Sequence, residues 1–143
     1  RILRQAVRKF SSSFIQKKIR VEYEPVDWKV VTDEKWLLFV IEQILSNSLK
    51  YTRSQGKVVI ERQEGEILCI RDNGIGIAPE DIPRIFEKGY TGYNGRNDKK
   101  ASGLGLYLCR RICENLGYRI WASSSVGEGT AIYIDLKRRL TKM

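Results

Sequence analysis

The sequence predicts one domain built from both helices and strands, and three observations carry that expectation. A chain of 143 residues, 42% hydrophobic and 30% charged, is long enough to bury a single core without covalent staples and has the composition of an ordinary globular domain. Two pairs of alternating segments, Lys57 to Gln63 with Ile67 to Asp72 and Arg119 to Ser125 with Thr130 to Leu136, are each joined by a glycine-containing turn and read as β-hairpins. Between and before them lie stretches with helical periodicity.

Taken in order, Arg1 to Lys18 carries Leu3, Val7, Phe10 and Phe14 at seam spacing among basic residues. This predicts an amphipathic helix that packs on the domain or on a preceding helical element. Arg20 to Glu24 alternates, Pro25 interrupts, and Lys29 to Val31 is short and β-branched, which suggests two edge strands around a turn. Asp33 is placed to cap a long helix over Glu34 to Tyr51, ended by Ser54, Gln55 and Gly56. At about 100° per residue, Leu38, Ile41, Leu45 and Leu49 gather on one side of it as the expected core face. Pro79-Glu80-Asp81 starts a short helical turn, and Ile82 to Phe86 supplies apolar anchors. A last helix opens at Ser102-Gly103-Leu104-Gly105-Leu106, with Leu104, Leu108, Ile112 and Leu116 expected on its buried face. The basic tail, Lys137 to Met143, is expected to fray. The chain starts at Arg1 in the middle of an apparent helix, so a fragment of a longer protein is expected.

The charge of +9, from 26 Lys and Arg against 17 Asp and Glu, suggests an anionic partner: a nucleotide, a nucleic acid, an acidic protein or a membrane surface. Three cysteines without CxxC spacing argue against a disulfide framework, and the absence of histidine removes the usual company of a zinc site. Cys69, Cys109 and Cys113 are most simply small buried hydrophobes. Without histidine, this chain offers no imidazole for catalysis or phosphate acceptance. No apolar run is long enough to span a bilayer.

Four local patterns carry chemistry. Opposite the core face of the long helix, Gln43, Asn47 and Lys50 form a row of two amides and an ammonium ending beside Tyr51. The row suits oxygen ligands, a metal and a ring, or is a solvated polar face. Asp72-Asn73-Gly74-Ile75-Gly76-Ile77 puts a carboxylate at a strand end before two glycines, which can admit a ligand close to the backbone or simply make a turn. Gly89 to Lys100 is polar, glycine-punctuated and long, fitting a lid or a disordered surface segment. Glycines at the opening of the last helix aim several backbone N–H groups toward one point, a phosphate cradle assisted by the helix dipole. It is neither a Walker loop nor a dinucleotide fingerprint, since GxxxxGK[ST] and a third glycine are both absent.

Together and in this order, the patterns resemble the catalytic ATP-binding domain of bacterial sensor histidine kinases, in the superfamily shared with gyrase, the Hsp90 chaperones and MutL. Gln43 to Tyr51 is similar to the family's N box, Asp72 to Gly76 to its first glycine box, Phe86 to its F box, Gly103 to Leu106 to its second glycine box and Gly127 to Thr130 to its third. The resemblance implies an α+β two-layer sandwich, a mixed β-sheet packed on three main helices (the Bergerat ATP-binding fold), with residues 1–18 as linker and first helix and 19–143 as the catalytic domain. It implies ATP and Mg²⁺ as ligands, with Asn47 on the metal, Lys50 on phosphate oxygens, Tyr51 lining the adenine and Asp72 accepting from the adenine amine. Thr130 would support Asp72 directly or through water. Gly74, Gly76 and Ile77 would line the base, and Gly103, Leu104, Gly105 and Leu106 would hold phosphates. Implied partners are a dimerisation and phosphoacceptor domain and a response-regulator receiver domain. The resemblance further implies a membrane-anchored homodimer for the full-length protein, with this domain cytoplasmic and monomeric when isolated and no nucleic acid bound.

Two departures from the family pattern matter. Hydrolytic members carry a glutamate four residues before the N-box asparagine, where this chain has Gln43, so poor hydrolysis is expected. Glu42 is turned away by about 100° on the wheel. Many sensor kinases carry an arginine shortly after the F box; Thr91 stands at the nearest matching place, and Arg96 is the expected substitute toward the γ-phosphate. The Phe86 to Arg96 segment further resembles kinases with small membrane sensors that answer cell-envelope or antimicrobial-peptide stress. Alternatives are a serine-phosphorylating anti-sigma-type kinase, a noncatalytic nucleotide sensor of the same superfamily, or a nucleic-acid module, which would leave the ordered glycine boxes unexplained.

Overall fold

A computed structural model of the chain describes residues 2–23, 33–90 and 105–137. Helix α1 (Ile2–Lys17) leads into strand β1 (Arg20–Tyr23), and helix α2 (Glu34–Tyr51) is followed by strands β2 (Lys57–Gln63) and β3 (Ile67–Asp72). A 3₁₀ turn over Ile82–Arg84 comes next, then helix α3 (Gly105–Leu116) and strands β4 (Arg119–Ser125) and β5 (Gly129–Asp135). The strand expected at Lys29 to Val31 and the fraying expected of the tail beyond Lys137 lie outside the described residues.

The five strands form one sheet in the order β1-β2-β3-β5-β4. Both hairpins are present as antiparallel pairs, and β3 zips them together by pairing with β5 from Ile67↔Asp135 to Asp72↔Thr130. Among the described strands only β1 and β2 run parallel. Parallel neighbours need a crossover of about a dozen residues or more, usually helical, and α2 lies between these two strands in the chain. Alternation directs Val58, Ile60, Leu68, Ile70, Ile132 and Ile134 into the core, whereas Glu61 and Arg71, at alternate positions, form a 2.7 Å ion pair on the other side of the sheet. One face is therefore covered by the helices, and the result is a two-layer sandwich of three helices on a mixed sheet.

The helices meet that face with stripes that differ from the expected ones. In α2 the buried residues are Leu37, Val40, Ile41, Ile44, Leu45 and Ser48, while Leu38 and Leu49 flank the core half-buried. In α3 the buried pair is Cys109 and Cys113; Ile112 and Leu116 are half-buried and Leu108 is 39% exposed. The cause is geometric. At about 100° per residue the seam that faces the core runs through Cys109, Ile112, Cys113 and Leu116, and Leu108, about 100° from Cys109, falls off its edge. All three cysteines are buried free thiols. Burial pushes Cys69 up to about 11 and Cys113 up to about 12, and drives Cys109 higher still.

Helix α1 packs on α2 and contributes Leu3, Ala6 and Phe14 to the same core, with Val7 and Phe10 half-buried beside them. Its last turn also serves α2. Lys17 Nζ donates to the carbonyls of Leu49 (2.6 Å) and Lys50 (3.3 Å), supplying a cation and donors where a helix end leaves carbonyls without intrahelical partners. At the other end of α2, Asp33 Oδ1 accepts from Lys35 N at 3.1 Å, the expected cap.

Candidate functional site

The alternation that buries isoleucines along β3 and β5, and turns half-buried Ile120 of β4 inward, also brings three polar residues to that same face where the strands end. Asp72 pairs with Thr130, and Thr130 pairs with Ser124. Each is half-buried. Ser48, on the core-facing stripe of α2 and only 4% exposed, reaches Asp72 with its hydroxyl. Burial is the largest influence on Asp72 and raises its carboxyl above the usual carboxylate range; hydrogen bonds from the backbone of Gly74 and of Thr130 and from Ser48 oppose it. The Gly74 bond, from N–H to Oδ1, is 2.9 Å. A carboxylate withdrawn from water and held by three bonds is a fixed acceptor facing the space between α2 and the sheet.

The loop after β3 is wedged between α2 and the β4–β5 hairpin. On one side, Ile75 N donates to Tyr51 O at 3.2 Å, and on the other Gly127 N donates to Ile75 O at 2.8 Å. Ile77 N donates to Ser124 Oγ at 2.8 Å. A Cβ on Gly74 would strike the Tyr51 carbonyl and come within 2.9 Å of Asp72 Oδ1, while one on Gly76, at φ +78°, would strike the Ser125 carbonyl. Both positions thus need glycine to admit the chain's own backbone, in addition to the ligand approach expected from the sequence. Thr130 is fastened in the same place: its hydroxyl lies 2.9 Å from Ser124 Oγ, and its backbone, rather than that hydroxyl, is what holds Asp72.

On α2, Gln43, Asn47, Lys50 and Tyr51 are all half-buried, as residues lining an open cleft would be. Lys50 Nζ sits 5.5 Å from the centre of the Tyr51 ring. The first residue of α3 lies over the same face, since a Cβ on Gly105 would be 3.1 Å from Gln43 Oε1. Gly105 and Leu106 are half-buried in the first turn of α3, which carries no acidic residue and so offers its N-terminal dipole to an anion. Glu42 is engaged elsewhere, 3.3 Å from Lys9 of α1. Among the described residues no group of three or more histidines, cysteines and carboxylates converges to hold a metal. Arg96, Gly103 and Leu104 lie outside the described residues.

Asp72, Thr130, Gly74, Gly76 and Ile77 therefore meet at the sheet end, and Gln43, Asn47, Lys50 and Tyr51 form the adjoining wall of α2. Two contributors, Ser48 and Ser124, were not singled out by motif or periodicity. Each left a signal: Ser48 is a polar residue on an otherwise apolar stripe, four residues after Ile44, and Ser124 occupies an inward position of its strand, two after Ala122.

Residues 32–140 match the family model described as histidine kinase-, DNA gyrase B-, and HSP90-like ATPase. Among curated proteins, the sensor protein BceS of Halalkalibacterium halodurans is 39% identical over 96% of this chain and 42% of its own length. The sensor histidine kinase YxdK of Bacillus subtilis is 35% identical over 99% of this chain and 44% of its own length, and GraS of Staphylococcus haemolyticus is 44% identical over 77% and 33%. The chain thus spans less than half the length of these relatives. In fold it is similar to the mycobacterial sensor histidine kinase MprB, with a TM-score of 0.78 and 24% identity over 92% of this chain and 93% of that one. The catalytic domain of histidine kinase ThkA gives 0.78 and 22% over 93% and 89%. With the family model covering residues 32–140, most of the chain, and relatives 35–39% identical along nearly all of it, the chain belongs to the histidine kinase-, DNA gyrase B- and HSP90-like ATPases.

Proposed function

We propose that the chain is the ATP-binding catalytic domain of a two-component sensor histidine kinase and transfers the γ-phosphate of ATP to a histidine on a helical hairpin outside this chain. The observation that carries this is the desolvated Asp72 carboxylate, held by Gly74, Thr130 and Ser48, beside a helix face of Gln43, Asn47 and Lys50 that meets the start of α3. In this reading Asp72 accepts from the adenine amine, Tyr51, Gly74, Gly76 and Ile77 line the base, and Gly103, Leu104, Gly105 and Leu106 hold phosphates at the opening of α3. Lys50 and Arg96 bring positive charge to the phosphate oxygens. The donor set fits Mg²⁺: Asn47 would supply a neutral oxygen from a half-buried helix position, and, with no carboxylate cluster among the described residues, phosphate and water would complete its shell, as that ion prefers. When bound, the ion supplies charge neutralisation across the phosphate oxygens.

The chain's own part is positioning and electrostatics, which phosphoryl transfer chiefly needs. The bond from the γ-phosphorus to the bridging oxygen breaks, ADP leaves, and a phosphorus–nitrogen bond forms at the acceptor imidazole. This chain has no histidine, so the acceptor comes from the dimerisation hairpin that residues 1–18 would join to the catalytic domain at 19–143. Gln43 cannot take a proton from water and Glu42 is paired with Lys9, so the γ-phosphate is reserved for the acceptor. An aspartate on a response-regulator receiver domain then takes the phosphate; a structure of ThkA in complex with the response regulator TrrA, matching this fold at a TM-score of 0.75 and 22% identity, supports that partner class. Similarity to BceS, YxdK and GraS supports placement among kinases with small membrane sensors, the full-length protein being a membrane-anchored homodimer with this domain in the cytoplasm and monomeric when isolated.

The test is transfer from radiolabelled Mg-ATP to a separately produced hairpin, comparing this chain with Asn47→Ala. Acid-labile, base-stable label that disappears in the variant is the expected result. Acid-stable label would instead mark a serine kinase and refute the proposal.

A further inference from the structure

The Ser124 hydroxyl has three polar neighbours: Ile77 N at 2.8 Å, Gly129 O at 2.7 Å and Thr130 Oγ1 at 2.9 Å. A serine hydroxyl has one proton and two lone pairs, and two of these neighbours leave it no choice. The Ile77 amide can only donate, so it occupies one lone pair. The Gly129 carbonyl can only accept, so it takes the single proton. What remains for Thr130 is the second lone pair, and Thr130 must therefore spend its own proton on Ser124. Its outward side is left with lone pairs alone. Beside it on the same face stands Asp72, whose ionised carboxylate is likewise an acceptor.

We infer that Ser124 is a positioning residue for base selection: by fixing the direction of the Thr130 proton, it makes the sheet end of the site a pair of acceptors that favours an exocyclic amine and rejects a carbonyl oxygen. The inference rests on the nucleotide reading proposed above. Adenine presents an amine where guanine presents the acceptor O6. A freely rotating Thr130 hydroxyl could turn its proton toward that oxygen; one committed to Ser124 cannot. Ser124 also closes the loop onto the hairpin through Ile77, so its removal leaves a donor unpaired and weakens the fold as well. Discrimination between bases, rather than affinity, separates the two roles.

The experiment measures equilibrium binding of the non-hydrolysable imido analogues of ATP and GTP, each with Mg²⁺, to the wild-type chain, Ser124→Ala, Ser124→Thr, Thr130→Val and the Ser124→Ala/Thr130→Val pair. The wild type prefers the adenine nucleotide. Ser124→Ala narrows that preference about tenfold, roughly one hydrogen bond of discrimination, chiefly by improved guanine binding; Ser124→Thr restores it. In the Thr130→Val background the Ser124→Ala change no longer alters the ratio. If Ser124→Ala does not fold, Ser124→Cys keeps the volume with a weaker acceptor and narrows the ratio by a smaller factor. An adenine preference equal to wild type in the alanine and cysteine variants, or a wild type with no preference, overturns the assignment. A wild-type chain that binds neither nucleotide refutes the proposed function and this inference with it.

Discussion

Asp72→Asn tests the centre of the site with almost no change in shape. The substitution keeps an oxygen able to accept from Gly74 N, now 2.9 Å from Oδ1, and the backbone of Thr130 and the hydroxyl of Ser48 remain in place. The second position of the fork becomes an NH₂ donor, and in the proposed complex it faces the adenine amine, also a donor. One charge-assisted bond is replaced by two donors in opposition, which costs about 1–3 kcal/mol, or roughly tenfold to a hundredfold in affinity. The unliganded fold should respond in the pH dependence of its stability. Because burial raises the Asp72 carboxyl above its ordinary 3.8, the folded state holds its proton more tightly than the unfolded chain. Stability attributable to this group is therefore greatest below 3.8 and falls as pH rises through the raised value. An uncharged amide removes that pH-dependent loss, so the variant's pH-stability profile loses the corresponding decline, even though its single oxygen cannot serve all three donors that hold the carboxylate. Calorimetric titration with an ATP analogue and thermal melts from pH 3 to 8 read both effects. Unchanged affinity would refute the role of Asp72 in the base site, and a sharp drop in melting temperature together with weaker binding would show that its bonds serve the fold first.

Gly76→Ala must place a Cβ against the Ser125 carbonyl at φ +78°; the left-handed conformation alone costs about 1–2 kcal/mol, and urea denaturation should show at least that loss, together with weakened nucleotide binding as the loop leaves the hairpin. Ile44→Ala empties a fully buried position between α2 and the sheet and should cost about 2–5 kcal/mol in the same assay; less than about 1 kcal/mol would mean the core is not closed there. Cys69, Cys109 and Cys113 are buried and their thiols are pushed up, Cys69 to about 11 and Cys113 to about 12, so iodoacetamide at pH 8 should label none of them in the folded chain and all three after denaturation; rapid native labelling would contradict their burial.

Much of this architecture was legible because its signals are local. A hairpin needs only alternation and a turn, and both hairpins lie where the pattern placed them. The Asp33 cap and the extent of α2 follow from one side chain and an apolar repeat. The seams were harder. A helix presents several candidate stripes, and which one is buried depends on how the neighbour sits; in α3 the choice fell on Cys109 and Cys113 and left Leu108 exposed. Ser48 was hidden for a related reason, since a serine among leucines looks like a defect until the carboxylate it meets comes from another element.

The sequence by itself determined the elements, the hairpin pairings, the missing imidazole and the ordered set of glycines, carboxylate and amides from which the family can be read, because each depends on residues near one another in the chain. Tertiary structure decided the parallel pairing of β1 with β2, the convergence of Ser48, Asp72, Thr130 and Ser124, and the reason Gly74 and Gly76 must be glycine. Those facts depend on distances between elements: Ile77 and Ser124 are 47 residues apart in the chain and joined at 2.8 Å in the fold, a relation that local propensity and periodicity do not specify.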